Sequence, residues 1–225
     1  ESFENVLSQG MTALSVEEFE NVAEQSAALI LDTRSNGDFA KGFIPQSINI
    51  GINGDFAPWV GAMIVDVNQP ILLVTDAGME EETVTRLSRV GFDHVLGHLK
   101  GGFQSWVDAN KEMDMVHRIT ATEFASQIEG KEVMVIDVRK ESEYAAEHVE
   151  DAYSKPLAYI NDWVNDIDPK QPFYLHCAGG YRSMIAASIL QARGYRNFIE
   201  IEGGFKAIAE TQIPKTDFVC QSKVL

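Results

Sequence analysis

The 225-residue chain has only two cysteines, Cys177 and Cys220, too few for a disulfide scaffold. They can form one bridge or stay apart as thiols, and a composition of cytosolic character favours thiols. No stretch reaches the 18 or so consecutive apolar residues of a transmembrane helix, and the basic-then-apolar start of a signal peptide is missing. The expected location is therefore cytoplasmic, with no membrane partner. Cations are also scarce, 18 Lys and Arg against 34 Asp and Glu, for a formal charge of −16. Such an excess argues against nucleic acid as a partner, and it requires a locally positive pocket for any anionic substrate. Neither CxxC nor HExxH occurs and the five histidines are scattered, so no metal and no cofactor are expected. The chain begins with Glu1 rather than Met, as a processed product or a fragment of a longer protein would.

What the chain does contain is itself, twice. The stretch "LSVEEFENVAEQSAALILDTRSNGDFAKGFI" (14–44) aligns without a gap on "ITATEFASQIEGKEVMVIDVRKESEYAAEHV" (119–149), 105 residues later. Farther on, "ILLVTDAG" (71–78) pairs with "PFYLHCAG" (172–179), and "LKGGFQSW" (99–106) with "IEGGFKAI" (201–208). The expected organisation is a domain over residues 1–110, a linker over 111–118 and a second domain over 119–225. Ser15 and Thr120, each followed three residues later by a glutamate, carry the capping-box spacing that starts a helix. The apolar runs "ALILDT", "VMVIDV", "ILLVT" and "FYLHC" are short enough for buried strands. The stretch "MIAASILQARG" (184–194) predicts a helix with a glycine stop. Strands alternating with helices at this spacing predict an α/β fold, each domain a parallel sheet covered by helices on both faces.

Cys177 closes one predicted strand, in "LHCAGGYRSM" (175–184), just before the helix. Loops at the carboxyl ends of parallel strands are where such folds bind ligands. The amides of Ala178, Gly179, Gly180, Tyr181, Arg182 and Ser183 are placed to curl around one point, with the glycines allowing positive φ. The result is an anion-binding nest at a helix N-terminus, to which Arg182 adds a positive charge. Such a nest favours a thiolate over a thiol and stabilises an anionic group carried on the sulfur.

The motifs "DVRKESEYAAEHVEDA" (137–152), "HCAGGYRS" and "GYRNFIEIEGGF" (194–205) resemble a rhodanese domain, and the whole chain resembles a tandem rhodanese. The resemblance implies that Cys177 accepts a sulfane sulfur as a persulfide and passes it to a nucleophile. It makes residues 178–183 the amide cradle and Arg182 the contact to the substrate anion. Asp137 and Arg139 match the family's "DxR" element and are read as support beneath the loop. "EHVEDA" departs from the family, which usually has glycine before this histidine and "IPGA" after it. The implied partners are a small donor, thiosulfate or a glutathione-persulfide-like molecule, and a thiol or cyanide acceptor. The stretches "NVLSQGMTALSVEEF", "APWVGAMI" and "VGFDHVLGHLKGGF" further resemble the C-terminal half of metallo-β-lactamase–rhodanese fusions, which implies a metallo-β-lactamase-like domain ahead of Glu1.

The first copy has Asp76 at the cysteine position and Glu81 at that of Arg182, flanked by Glu80 and Glu82. A carboxylate cannot carry sulfane sulfur, and three acids at a helix N-terminus repel anions, so this domain is expected to be catalytically inactive. From the loop position to the glycine ending the next helix there are 15 residues, against 17 in the second copy, which predicts a shortened loop. Two other classes stay open for the pair. One is a cysteine phosphatase or arsenate reductase, whose loop has one residue more between Cys and Arg than the four here. The other is a non-catalytic binding or regulatory module.

Overall fold

The computed structural model describes residues 2–220 and divides into two compact units, Glu1–Met115 and Val116–Leu225. The division falls inside the 111–118 segment. In the first unit α1 (Phe3–Gly10) precedes β1 (Ala13–Leu14), α2 (Val16–Ser26), β2 (Leu29–Asp32), α3 (Asn36–Lys41) and β3 (Ile48–Asn49). Then come α4 (Phe56–Met63), β4 (Ile71–Val74), α5 (Glu80–Arg89), β5 (Val95–Leu99) and α6 (Gly102–Asp108). The second unit runs β6 (Arg118–Ile119), α7 (Ala121–Ile128), β7 (Val135–Asp137), α8 (Glu141–Ala146), β8 (Tyr153–Ser154) and α9 (Ile160–Trp163). It ends with β9 (Phe173–His176), α10 (Tyr181–Ala192), β10 (Phe198–Ile201) and α11 (Gly204–Ile208).

Each unit holds one five-stranded parallel sheet flanked by helices, in the orders β1-β5-β4-β2-β3 and β6-β10-β9-β7-β8. The helices exist for local reasons legible in the residues. Ser15 Oγ accepts from the Glu18 amide while Glu18 accepts from the Ser15 amide, and Thr120 and Glu123 repeat the exchange. These caps orient α2 and α7, whose Phe19 and Phe124 are both fully buried. Each such side chain contributes roughly 1.5–3 kcal/mol. All four residues of β4 are buried, as expected of a central parallel strand with both faces covered.

The helix predicted from residue 184 begins three residues earlier, at Tyr181. Tyr181, Arg182 and Ser183 form its first turn, so their backbone N–H groups lack intrahelical partners and face the loop that precedes them. The predicted shortening of the first loop is also corrected. Three residues separate Asp76 and Cys177 from the helix that follows each, 77–79 and 178–180. The missing two lie in the helices, α5 having ten residues and α10 twelve. Among the described residues no helix is long and apolar enough to cross a membrane.

Candidate functional site

Cys177 stands at the carboxyl end of β9, an inner strand of its sheet, and is only 1% exposed. Its neighbours hold it from above and below. From above, the Gly180 N–H donates to Sγ at 3.1 Å. Gly180 reaches that orientation at φ 112°, a conformation a Cβ would strain. From below, the amides of Phe205 and Lys206, in the first turn of α11, donate to the carbonyls of Cys177 and Ala178 at 2.7 and 3.0 Å. Those carbonyls are thereby turned toward α11.

Gly204 makes this approach feasible. It sits at φ 57°, and a Cβ there would lie 2.5 Å from the Cys177 carbonyl oxygen and 2.7 Å from the Ala178 carbonyl carbon. Asp137 accepts from three donor groups of Arg139: its amide, Nε at 3.0 Å to both carboxylate oxygens, and Nη2 at 2.7 Å. The guanidinium lies 4.1 Å from the centre of the Phe205 ring and donates to the Glu147 carbonyl. Asp137 and Arg139 therefore fix Phe205, and Phe205 fixes the cysteine carbonyl. The first copy repeats the arrangement without a nucleophile: Arg34 on Asp32, over Phe103 at 4.3 Å. The pair belongs to the scaffold of both units.

His176, fully buried, has Nδ1 3.0 Å from the Cys177 carbonyl. A carbonyl only accepts, so Nδ1 carries the proton. Nε2 then presents a lone pair, has no hydrogen-bond partner, and lies 3.9 Å from Asp137 Oδ2. Burial pushes the imidazole below its ordinary value, outweighing the attraction of Asp137, and keeps it neutral.

Arg182 does not stand open at the loop. Its Nη1 and Nη2 donate to the two carboxylate oxygens of Glu143, in α8, at 2.6 and 2.9 Å. This pairing holds the Glu143 carboxyl at about 2 and raises Arg182. Glu143 also accepts from the Lys140 amide at 3.0 Å, so one carboxylate caps α8 and clasps the first turn of α10. Ser183, the last cradle residue, is buried, and its hydroxyl donates to Glu200 at 2.7 Å. Burial pushes the Glu200 carboxyl up despite Ser183 and Arg118. Tyr181 is half-buried and Gly179 exposed. The partner of Arg182 was not foreseen from sequence: Glu143 lies 39 residues away and no spacing rule links them. Cys220, the other cysteine, is exposed.

In the first copy the equivalent loop follows a different path. Asp76 is exposed, the positive φ falls on Gly78 rather than one residue later, and Met79 occupies the place of Gly180 at φ −99°. The Met79 amide accordingly donates to the Asp76 carbonyl, not to its side chain. Three glutamates open α5 where Tyr181, Arg182 and Ser183 open α10.

The profile of the rhodanese-like domain matches residues 15–109 and again 120–211. An uncharacterized protein of Synechocystis is 33% identical over 82 residues, which cover 36% of this chain and 46% of that protein. The match thus spans just under half the length of that relative. A thiosulfate sulfurtransferase of Coxiella burnetii is 24% identical over 92 residues, covering 41% of this chain and 86% of that protein. Among solved structures, a rhodanese-like domain protein from Staphylococcus aureus is 30% identical over 44% of this chain and 97% of its own, with a TM-score of 0.41. A thiosulfate sulfurtransferase from Pseudomonas aeruginosa is 17% identical over 93% of this chain and 44% of its own, with a TM-score of 0.40. The two stretches that match the profile make up most of the chain, which belongs to the rhodanese-like domain family and carries two copies of the domain.

Proposed function

We propose that the chain is a sulfurtransferase that moves sulfane sulfur through a persulfide on Cys177. The observation that carries this reading is the Gly180 amide on Sγ at the N-terminus of α10, over a sulfur packed out of solvent. Amides aimed at that point stabilise a thiolate and, after transfer, the terminal sulfur of a persulfide. With thiosulfate, the Cys177 thiolate attacks the sulfane sulfur, the S–S bond of the donor breaks, and sulfite leaves with the bonding pair. A thiolate or cyanide then attacks the outer sulfur of the persulfide and returns the Cys177 thiolate, in ping-pong order. A low-molecular-weight persulfide gives its outer sulfur the same way and leaves as a thiolate.

Asp137 and Arg139 act in this scheme only through Phe205, and residues 178–183 through their amides. The first domain takes no part in the chemistry, since Asp76 cannot hold sulfane sulfur and the Met79 amide is committed elsewhere. The resemblance to metallo-β-lactamase–rhodanese fusions rests on the quoted motifs alone, and no step above uses such a domain.

The test is intact mass after incubation with thiosulfate, together with cyanolysis. The wild-type chain is expected to gain one sulfur and to release it to cyanide, and Cys177→Ser is expected to do neither. Wild-type turnover by Cys177→Ser would overturn the mechanism.

A further inference from the structure

We propose that Glu143 sets the donor preference of the Cys177 site: by neutralising Arg182, it disfavours small, multiply charged donors. The inference rests on the sulfur-transfer reading and adds to it the residue that selects among donors. Two guanidiniums belong to this loop and its support, and each is already answered by a carboxylate. Arg139 is bonded to Asp137 through Nε and Nη2, and Arg182 is bonded to both oxygens of Glu143. With both guanidiniums answered, the loop itself offers a donor its amides and the helix terminus, worth about half an elementary charge. A dianion such as thiosulfate needs more than that, above all in a chain with a formal charge of −16.

The clasp is built into the fold. Glu143 is fixed by the Lys140 amide on one side and by both arms of Arg182 on the other, so two helix starts share one carboxylate. A bidentate guanidinium–carboxylate pair is geometrically specific, and turning Arg182 toward an anion would leave Glu143 without its cation. The first copy has no such clasp. Asp38 stands at the place of Glu143 and bonds Ser35, while Glu81 stands at that of Arg182.

The experiment compares two donors of like shape and different charge. Thiosulfate is a dianion; methanethiosulfonate replaces one charged oxygen with a methyl group and is a monoanion. Each yields the same Cys177 persulfide, with sulfite or methanesulfinate as the leaving group. In Glu143→Gln the amide oxygen still caps α8, but Arg182 loses its counter-charge. KM for thiosulfate is expected to fall about fivefold and that for methanethiosulfonate about twofold, in proportion to charge for a partly screened site. The double variant Glu143→Gln/Arg182→Gln removes both charges, and the ratio of the two KM values, rather than the activity itself, is expected to return to that of the wild type. It can be read even if the single variant folds poorly. Equal changes for the two donors in Glu143→Gln, or a KM ratio in the double variant that stays at the Glu143→Gln value, would overturn the role of Glu143 and leave the sulfur-transfer reading intact. If neither donor adds sulfur to Cys177 in the wild-type chain, both fail together.

Discussion

His176 directly precedes the nucleophile, and its ring takes no part in the proposed chemistry. Its ring is fully buried, donates to the Cys177 carbonyl, and offers its other nitrogen to nothing but a carboxylate 3.9 Å away. Burial outweighs that carboxylate, so the folded chain holds His176 neutral below the pH at which the unfolded chain protonates it. A histidine depressed on folding contributes stability that is complete above its unfolded value, about 6.5, and is lost as pH falls toward the folded one. Unfolding free energy is therefore expected to decline below about pH 6.5, with a limiting slope of about 1.4 kcal/mol per pH unit for one proton. His176→Gln is expected to flatten that slope, read from denaturant midpoints at pH 7.5 and 5.5. An unchanged slope would mean that the ring is protonated in the folded state. From sequence, this histidine reads as packing beside its strand, with a role in tuning Cys177 as the alternative. Its tautomer follows from a carbonyl that only the folded chain brings to it.

At the scale of elements, the cradle is a strand end held between two helix starts, and the "GGF" motif is what brings the second helix close enough. Gly204→Ala puts a Cβ 2.5 Å from the Cys177 carbonyl oxygen, so either α11 or the cysteine must move. The expected cost is roughly 1–3 kcal/mol of stability, with a larger relative loss of sulfur loading because the amide-to-Sγ geometry shifts. Gly102→Ala in the first copy is the control. Its Cβ meets the Thr75 carbonyl at 3.1 Å, a contact that small adjustments relieve. It is expected to cost less in thermal midpoint and to leave Cys177 loading unchanged. The elements themselves were largely legible: both capping boxes, the apolar strands and the paired "GGF" segments follow from spacing alone. The start of α10 was not, because Tyr181, Arg182 and Ser183 carry no apolar period; the anion-binding character of that turn comes from backbone geometry. Nor was the Arg182 clasp, which depends on α8 and α10 starting side by side.

For the whole molecule, the duplication supplies its own comparison. The two units share sheet order, helix caps and the arginine–aspartate–phenylalanine support, and they differ in a loop of equal length. The difference is therefore one of residues and backbone path rather than of scaffold. Replacing the acid alone does not restore a site. In a Cys177→Ser background, Asp76→Cys is expected to gain no sulfur from thiosulfate. Its thiol would sit in the exposed loop of the first unit, with the Met79 amide bonded to backbone and Glu81 in place of the arginine. Adding Met79→Gly lets the chain take the positive φ one residue later, where Gly180 has it, and frees an amide to face the sulfur. Adding Glu81→Arg removes the like charge, and Asp38 then stands where Glu143 stands in the working copy. Sulfur gain, followed by intact mass, is expected only once Met79→Gly is present and to rise when Glu81→Arg is added. Loading by Asp76→Cys alone would show that the nucleophile, not the amide turn, is what the first copy lacks.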